Sequence, residues 1–262
     1  MCIFTGEGAP RVASTRIFGT TDGETATLVY SMSLEVDSEV AMILPLPVKL
    51  GLGEAALSFV SLEEYPEFFD DLQRGFPQPV AASADVLTFA PQSLALKQLV
   101  VHTVGAFEAS FVPHLRDFNR LDPRFRLSDD IWAKLPLYAD YGFAVFRLTP
   151  GTDKRVHPMA FRFQTRHPDR TFLPTVHVHD GALHPTAQFD HQVYYQVFTD
   201  RLKLPWEVDS FDVASKFMNE SKAQGLVRMV KPVYTWWLVS EQPNRDFHVM
   251  TTGMSMGDLY RL

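Results

Sequence analysis

The sequence predicts an α+β fold dominated by strands, with long antiparallel hairpins forming one or two sheets and a few helices covering them. Three observations point there. Apolar residues alternate with polar ones, or run on in β-branched stretches, along most of the chain. Helical periodicity is confined to a few short segments. Hydrophobic residues make up 46% of the 262 and aromatic residues 13%, ample material for a packed core.

The elements follow in order. In TATLVYSMSLEVDSEVAMILPLPV two apolar runs flank Asp37-Ser38, which reads as a long hairpin whose second strand stops at Pro45-Leu46-Pro47, since proline cannot donate to a ladder. SLEEYPEFFDDLQRGF reads as a helix with Ser61 as cap, acidic early turns and Gly75 at its end, and Pro66 confines its start to near that residue. Its acidic run, Glu63, Glu64, Glu67, Asp70 and Asp71, fits a solvated face. GFPQPVAASADVLTFAPQS lacks periodicity and reads as a long loop. SDDIWAKL is a short helix capped by Ser128.

A second β-rich block runs through YGFAVFRLTPG, HPMAFRF, LPTVHVHDG and HQVYYQVF, with turn signals at Pro150-Gly151, Pro168-Asp169 and Asp180-Gly181. DSFDVASKFMNESKAQG predicts a helix capped at both ends, with Phe211, Ala214, Phe217 and Met218 on one face. KPVYTWWLVS and RDFHVMTT predict a last pair of strands split by Glu241-Gln242-Pro243-Asn244, with Trp236 and Trp237 on opposite faces of the first. The chain reads as one globular domain, 1–262. The alternative is two β-rich halves, 1–75 and 95–262, joined by the Pro/Ala/Ser-rich loop 76–94.

The net charge of −7 argues against a sequence-independent nucleic-acid binder, which needs a basic surface. Arg120, Arg124, Arg126, Arg162, Arg166 and Arg170 cluster in two stretches, but interleaved carboxylates make these solvated surface. With no run of roughly 18 apolar residues and no signal-like start, the expectation is a cytoplasmic protein without membrane contact. One cysteine excludes an internal disulfide framework and an all-thiolate zinc site. No Gly-x-Ser-x-Gly elbow supports a serine hydrolase, and GEGAPR lacks the features of a phosphate loop.

An early Cys, then TRIFGTTDGETATLVYSMSLEVDSEVAMILPLPV, then YGFAVFRLTPGTDKRVHPMAFRFQTRHPDRTFLPTVHVHDG, resembles in order the bacterial domain-of-unknown-function family 2330. That family pairs a cysteine-containing start with a strand pair ending in Pro-x-Pro. The resemblance implies a β-rich fold and carries no activity. That family typically looks secreted; no signal is visible in this sequence and the family's additional cysteines are missing, so its location is not the expectation here.

The sole cysteine, Cys2, opens MCIFTG. Removal of Met1 would give it a free α-amine with pKa about 7.7–8.0, able to act as a base beside its own thiol. MCIFTG thereby resembles the starts of N-terminal nucleophile hydrolases, in which one residue supplies attacking group and base. That resemblance points to Arg16 and Asp22 as the catalytic partners of Cys2. The alternative is that Cys2 is a small apolar residue opening a strand, with Ile3 and Phe4 making the packing contacts.

Five of the nine histidines lie between His167 and His191. If TVHVHD is a strand, period-two geometry puts His177 and His179 on one face and Val176 and Val178 on the other. With His191 and Asp180 they make a candidate metal set, His184 and Asp190 standing by as further partners, for a divalent transition metal such as zinc, iron, copper or nickel. Surface hairpins that simply carry histidines are the alternative. A Cys2 thiolate in reach of these imidazoles would join both groups in one site.

The first expectation is therefore an amide hydrolase acting on a small-molecule or peptide-like substrate through Cys2. The second is a metal-binding protein using His177, His179 and His191, and the third a structural or interaction protein without chemistry. Oligomeric state is left open.

Overall fold

A computed structural model describes residues 2–6, 10–76, 102–104, 107–148, 151–155, 157–197 and 207–251. The first half contributes β1 (Cys2–Gly6), β2 (Arg11–Asp22), β3 (Thr25–Val36), β4 (Val40–Leu46), β5 (Leu57–Ser61) and α1 (Phe68–Arg74). Then follow β6 (His102–Val104), β7 (Phe107–Val112), α2 (Asp129–Trp132), β8 (Gly142–Leu148), β9 (Gly151–Arg155), β10 (Met159–Gln164) and β11 (Arg170–Leu173). The chain continues through β12 (His177–Val178), β13 (Thr186–Gln196), β14 (Val208–Asp209), α3 (Glu220–Ala223), β15 (Tyr234–Pro243) and β16 (Phe247–Met250). The β-dominated α+β class is as expected.

The strands form a smaller sheet in the order β12-β1-β4-β8-β7-β6 and a larger one in the order β14-β15-β13-β2-β3-β10-β5, with β9 added to β3. A two-stranded ribbon, β11-β16, completes the set among the described residues. Both large sheets mix strands from before and after the segment 77–101.

Side-chain alternation builds four layers. Phe4, Met42, Leu44 and Phe146 from the smaller sheet pack against Ile17, Leu28, Tyr30 and Phe161 from the larger one. The smaller sheet's other face, with Ile3, Ile43 and Phe143, is covered by Phe118, Phe125, Ile131 and Tyr138. The larger sheet's other face, with Phe18, Val29 and Tyr194, is covered by Phe68, Phe69 and Leu72 of α1 and by Leu226 and Val227. Sheets covered on both sides need apolar residues at successive positions, which is why β4 is buried throughout.

This layering changes three expected elements. The two strands around Asp37-Ser38 do not pair: β3 joins β2 and β10 in the larger sheet, while β4 joins β1 and β8 in the smaller. The chain crosses between sheets there because each run must be buried on both faces. The hairpin is instead β2–β3, closed where Asp22 pairs Thr25 around Gly23 at φ 55°.

The expected last pair also separates, β15 lying on β13 and β16 on β11. Of the third predicted helix only a 3-10 turn, Ala214–Lys216, and the short α3 form. Asn219 starts α3 by accepting the Lys222 N–H at 3.1 Å, and Phe211, expected on a packed face, is 80% exposed. α1 is present and ends at Gly75 as expected. Within its acidic run Asp71 is buried, not solvated, accepting from the Tyr65 hydroxyl at 2.6 Å. The stretch expected as a long loop lies almost entirely outside the described residues.

Candidate functional site

The site is built where an edge of the smaller sheet meets β13 of the larger. Pro174 precedes and Asp180-Gly181 follows TVHVH, so β12 is only two residues long. It runs parallel to β1 in the register Cys2↔His177 and Ile3↔Val178. Val176 and Val178 enter the outer apolar layer, and His177 and His179 take the opposite face, as alternation requires. Their rings stack at 5.0 Å, and His179 also meets Phe4 edge-on at 5.3 Å.

The third imidazole comes from the other sheet. His191, 1% exposed, is paired with Thr15 across the parallel β13–β2 ladder. Its ring stacks on His177 at 5.3 Å, with the two Nε2 atoms 3.4 Å apart. Phe189 closes the group from below, 4.4 Å from His177. The backbone of Cys2 and the three histidines are thus gathered at one place.

Among the described residues the short β12 lacks a strand on its free side and is held by side chains instead. The His177 N–H donates to Asn244 Oδ1 at 2.7 Å, and Asn244 Nδ2 donates to the carbonyls of His177 and His184, each at 2.9 Å. Two residues on, Asp246 accepts from the backbone N–H groups of Thr175 and Val176 at 2.7 and 3.2 Å and from the Tyr138 hydroxyl at 2.5 Å. Burial raises its pKa to about 6 against the opposing pull of these bonds.

Asp190 completes a polar chain. Burial works to raise its pKa, but hydrogen bonds with His191 and from the Ser14 N–H, at 2.6 Å, hold it below the usual carboxylate range. His191 is lowered to about 4, chiefly by burial and in spite of Asp190, so it is neutral at pH 7. Its Nδ1 stands 3.2 Å from the Asp190 N–H and 3.4 Å from Asp190 Oδ1. In one tautomer Nδ1 accepts from that N–H and Nε2–H faces His177. In the other Nδ1–H faces the carboxylate and Nε2 accepts from His177, leaving His177 Nδ1 as an acceptor.

Not all the expected partners arrive. Asp180 is spent on its own turn, accepting from the Ala182 N–H at 3.0 Å and bonded to His184 at 2.8 Å, which together hold its pKa low. Among the described residues no group of three or more His, Cys, Asp or Glu is arranged to hold a metal ion.

Arg16 and Asp22 are also placed elsewhere. Arg16 lies on the opposite face of β2 from Thr15, where it binds Asp70 at 2.6 Å and covers Phe69. Asp22, at the far end of the strand, pairs with Arg228. Strand alternation turns both away from the Cys2 strand.

His177, His179, His191, Asp190, Thr15 and Asn244 line a cavity of about 530 Å³. On the other side of the His179-Asp180 turn a second cavity, about 450 Å³, reaches Phe4, Thr5, Arg124 and Arg126. Asn244, Asp246 and Thr15 were not singled out by sequence reasoning. Asn244 stands in a stretch that signals only a turn, and Asp246 falls at the start of the predicted last strand, RDFHVMTT.

No protein-family model matches the chain, and no curated protein matches it in sequence. Among solved structures it is similar to baculovirus P35, at 15% identity over 95% of this chain and 99% of that one, with a TM-score of 0.49. The structure of the caspase-8/P35 complex matches at 12% identity over 92% of this chain and 97% of that one, with a TM-score of 0.45. A likeness of that degree transfers no function. No helix among the described residues is long and apolar enough to cross a membrane.

Proposed function

We propose that this chain is a thiol-dependent acyl-transfer enzyme that hydrolyses an amide-type bond in a small-molecule or peptide-like substrate, with Cys2 as nucleophile and His177, backed by His191 and Asp190, as proton acceptor. The observation that supports it is the strand register: Cys2 stands opposite His177, whose Nε2 is 3.4 Å from that of His191. The thiol proton passes to His177 as the sulfur bonds to the carbonyl carbon. The C–N bond then breaks, the leaving amine takes the proton from His177, and water hydrolyses the resulting thioester to acid and free thiol. The imidazole serves as base with or without Met1, and removal of Met1 adds the α-amine as a second one.

Because Cys2 is the only cysteine, alkylation of the full-length chain by iodoacetamide reads this thiol alone. The expected rate-against-pH midpoint lies below the ordinary thiol value of about 8.5, and an activated ester leaves a thioester on Cys2 that Cys2→Ala cannot form. A midpoint near 8.5 with no acyl adduct rejects the reading.

A second reading rests on the same imidazole pair. Two nitrogens 3.4 Å apart match two corners of a tetrahedron around a metal with bonds of about 2.0–2.1 Å, and a Cys2 thiolate would be a third ligand. Cobalt(II) added to the protein would then give a thiolate absorption band, lost in both Cys2→Ala and His191→Ala. Absence of the band leaves the acyl-transfer reading standing alone.

A further inference from the structure

The lining of the imidazole cavity includes a buried hydroxyl, that of Thr15, which the proposed proton chain does not use. β2 carries a bulge between Ala13 and Arg16, with Ser14 at φ 53°. Before the bulge, Val12 faces the core between the sheets. After it, Ile17 does, so the face-to-residue parity changes at this point. The extra residue brings Thr15 into register opposite His191 and into the lining of the cavity.

Thr15 is 1% exposed, and among the described residues its hydroxyl has no hydrogen-bond partner. A buried hydroxyl left unbonded costs stability. Valine would fill the same β-branched volume without that cost, so packing alone does not account for a threonine here.

We infer that Thr15 is a substrate-orienting residue whose hydroxyl donates to the carbonyl oxygen of the scissile group, which makes the ligand of this cavity an amide or acyl carbonyl compound. The inference rests on the acyl-transfer reading and deepens it. Thr15 stands opposite His191 and Cys2 opposite His177, so a carbonyl group held by Thr15 lies beside the imidazole pair that borders the strand of Cys2. The donor belongs to the larger sheet and the nucleophile to the smaller, so the site needs both sheets in place.

The test compares two alkylating reagents on the full-length protein: iodoacetamide, which has an amide carbonyl, and allyl bromide, which has none. In Thr15→Val the iodoacetamide rate should fall about tenfold, the worth of one hydrogen bond, while the allyl bromide rate and the thiol's pH midpoint stay unchanged. Thr15→Ser should restore the iodoacetamide rate. The melting temperature of Thr15→Val should equal or exceed that of the parent, since an unbonded buried hydroxyl has been removed. Equal slowing with both reagents, or none with either, overturns the inference and leaves Thr15 a packing or water-binding residue. Failure of the acyl-transfer reading is distinguishable, because it shows as an ordinary thiol midpoint and no acyl adduct in the unaltered protein, whatever the ratio of the two reagents.

Discussion

Asn244 uses its amide at both ends, its oxygen taking the His177 N–H and its nitrogen serving the carbonyls of His177 and His184. It does for a two-residue edge strand what a neighbouring strand would otherwise do. Asn244→Ala removes three hydrogen bonds, each contributing about 0.5–1.5 kcal/mol, so a loss of about 2–3 kcal/mol is expected in urea denaturation. Asn244→Asp keeps the acceptor but sets a carboxylate against two carbonyls, and should lose at least as much. If Asp were tolerated while Ala was not, only the bond from the His177 N–H would matter. Hydrogen exchange at the His177 amide should accelerate in Asn244→Ala, since that N–H loses its partner directly.

At the scale of elements, the β2 bulge shapes the larger sheet's contribution to the site. It turns the Ser14 N–H onto Asp190 and sets Thr15 beside His191. Ser14→Gly keeps the N–H and relieves a left-handed conformation, so stability should be unchanged or rise by up to about 1 kcal/mol. Ser14→Pro removes the N–H and cannot adopt φ 53°, so it should destabilise by about 3 kcal/mol or more in thermal or urea unfolding, and also raise the pKa of Asp190.

These elements also show how far the sequence could be read. The His177/His179 face was legible because alternation is local: Val176, Val178 and the two histidines declare their sides within five residues. The departure of β4 from β3 was not legible, because runs buried on both faces contain no mark of their partner. The β2–β3 turn did carry a signal, Asp22-Gly23, overshadowed by the longer apolar runs around Asp37-Ser38. The role of Thr15 was hidden because a bulge moves the parity by one residue and nothing in RVASTRIF announces it. The direction of Arg16 was hidden for the same reason, since the residue after Thr15 must face the other way.

At the scale of the whole molecule, four covered layers bury ionisable groups from several elements, and their titration ties the fold to pH. His191 and His248 are both lowered from 6.5 to about 4, chiefly by burial, with Arg170 acting further on His248. Between about pH 6.5 and 4 the unfolded chain protonates these imidazoles while the folded one does not, so unfolding takes up protons and stability falls as pH falls. Asp246 opposes this: raised from 3.8 to about 6, it holds a proton when folded that it gives up when unfolded, so its contribution weakens as pH rises through that window. Two histidines outweigh one carboxyl, and Asp169, Asp180 and Asp190, all held below their ordinary values, add loss in the same direction at still lower pH.

The unfolding free energy should therefore drop by a few kcal/mol between pH 6.5 and 4, as followed by urea denaturation at several pH values. His248→Phe, which leaves an aromatic ring against Phe172, should flatten that slope, while Asp246→Asn should steepen it by removing an opposing group. A slope unaltered by either substitution would mean that these groups titrate alike in the folded and unfolded chain. Loss of the β12 clamp in Asp246→Asn is separable from this effect, because it lowers stability by the same amount at every pH, whereas the linkage alters only the slope.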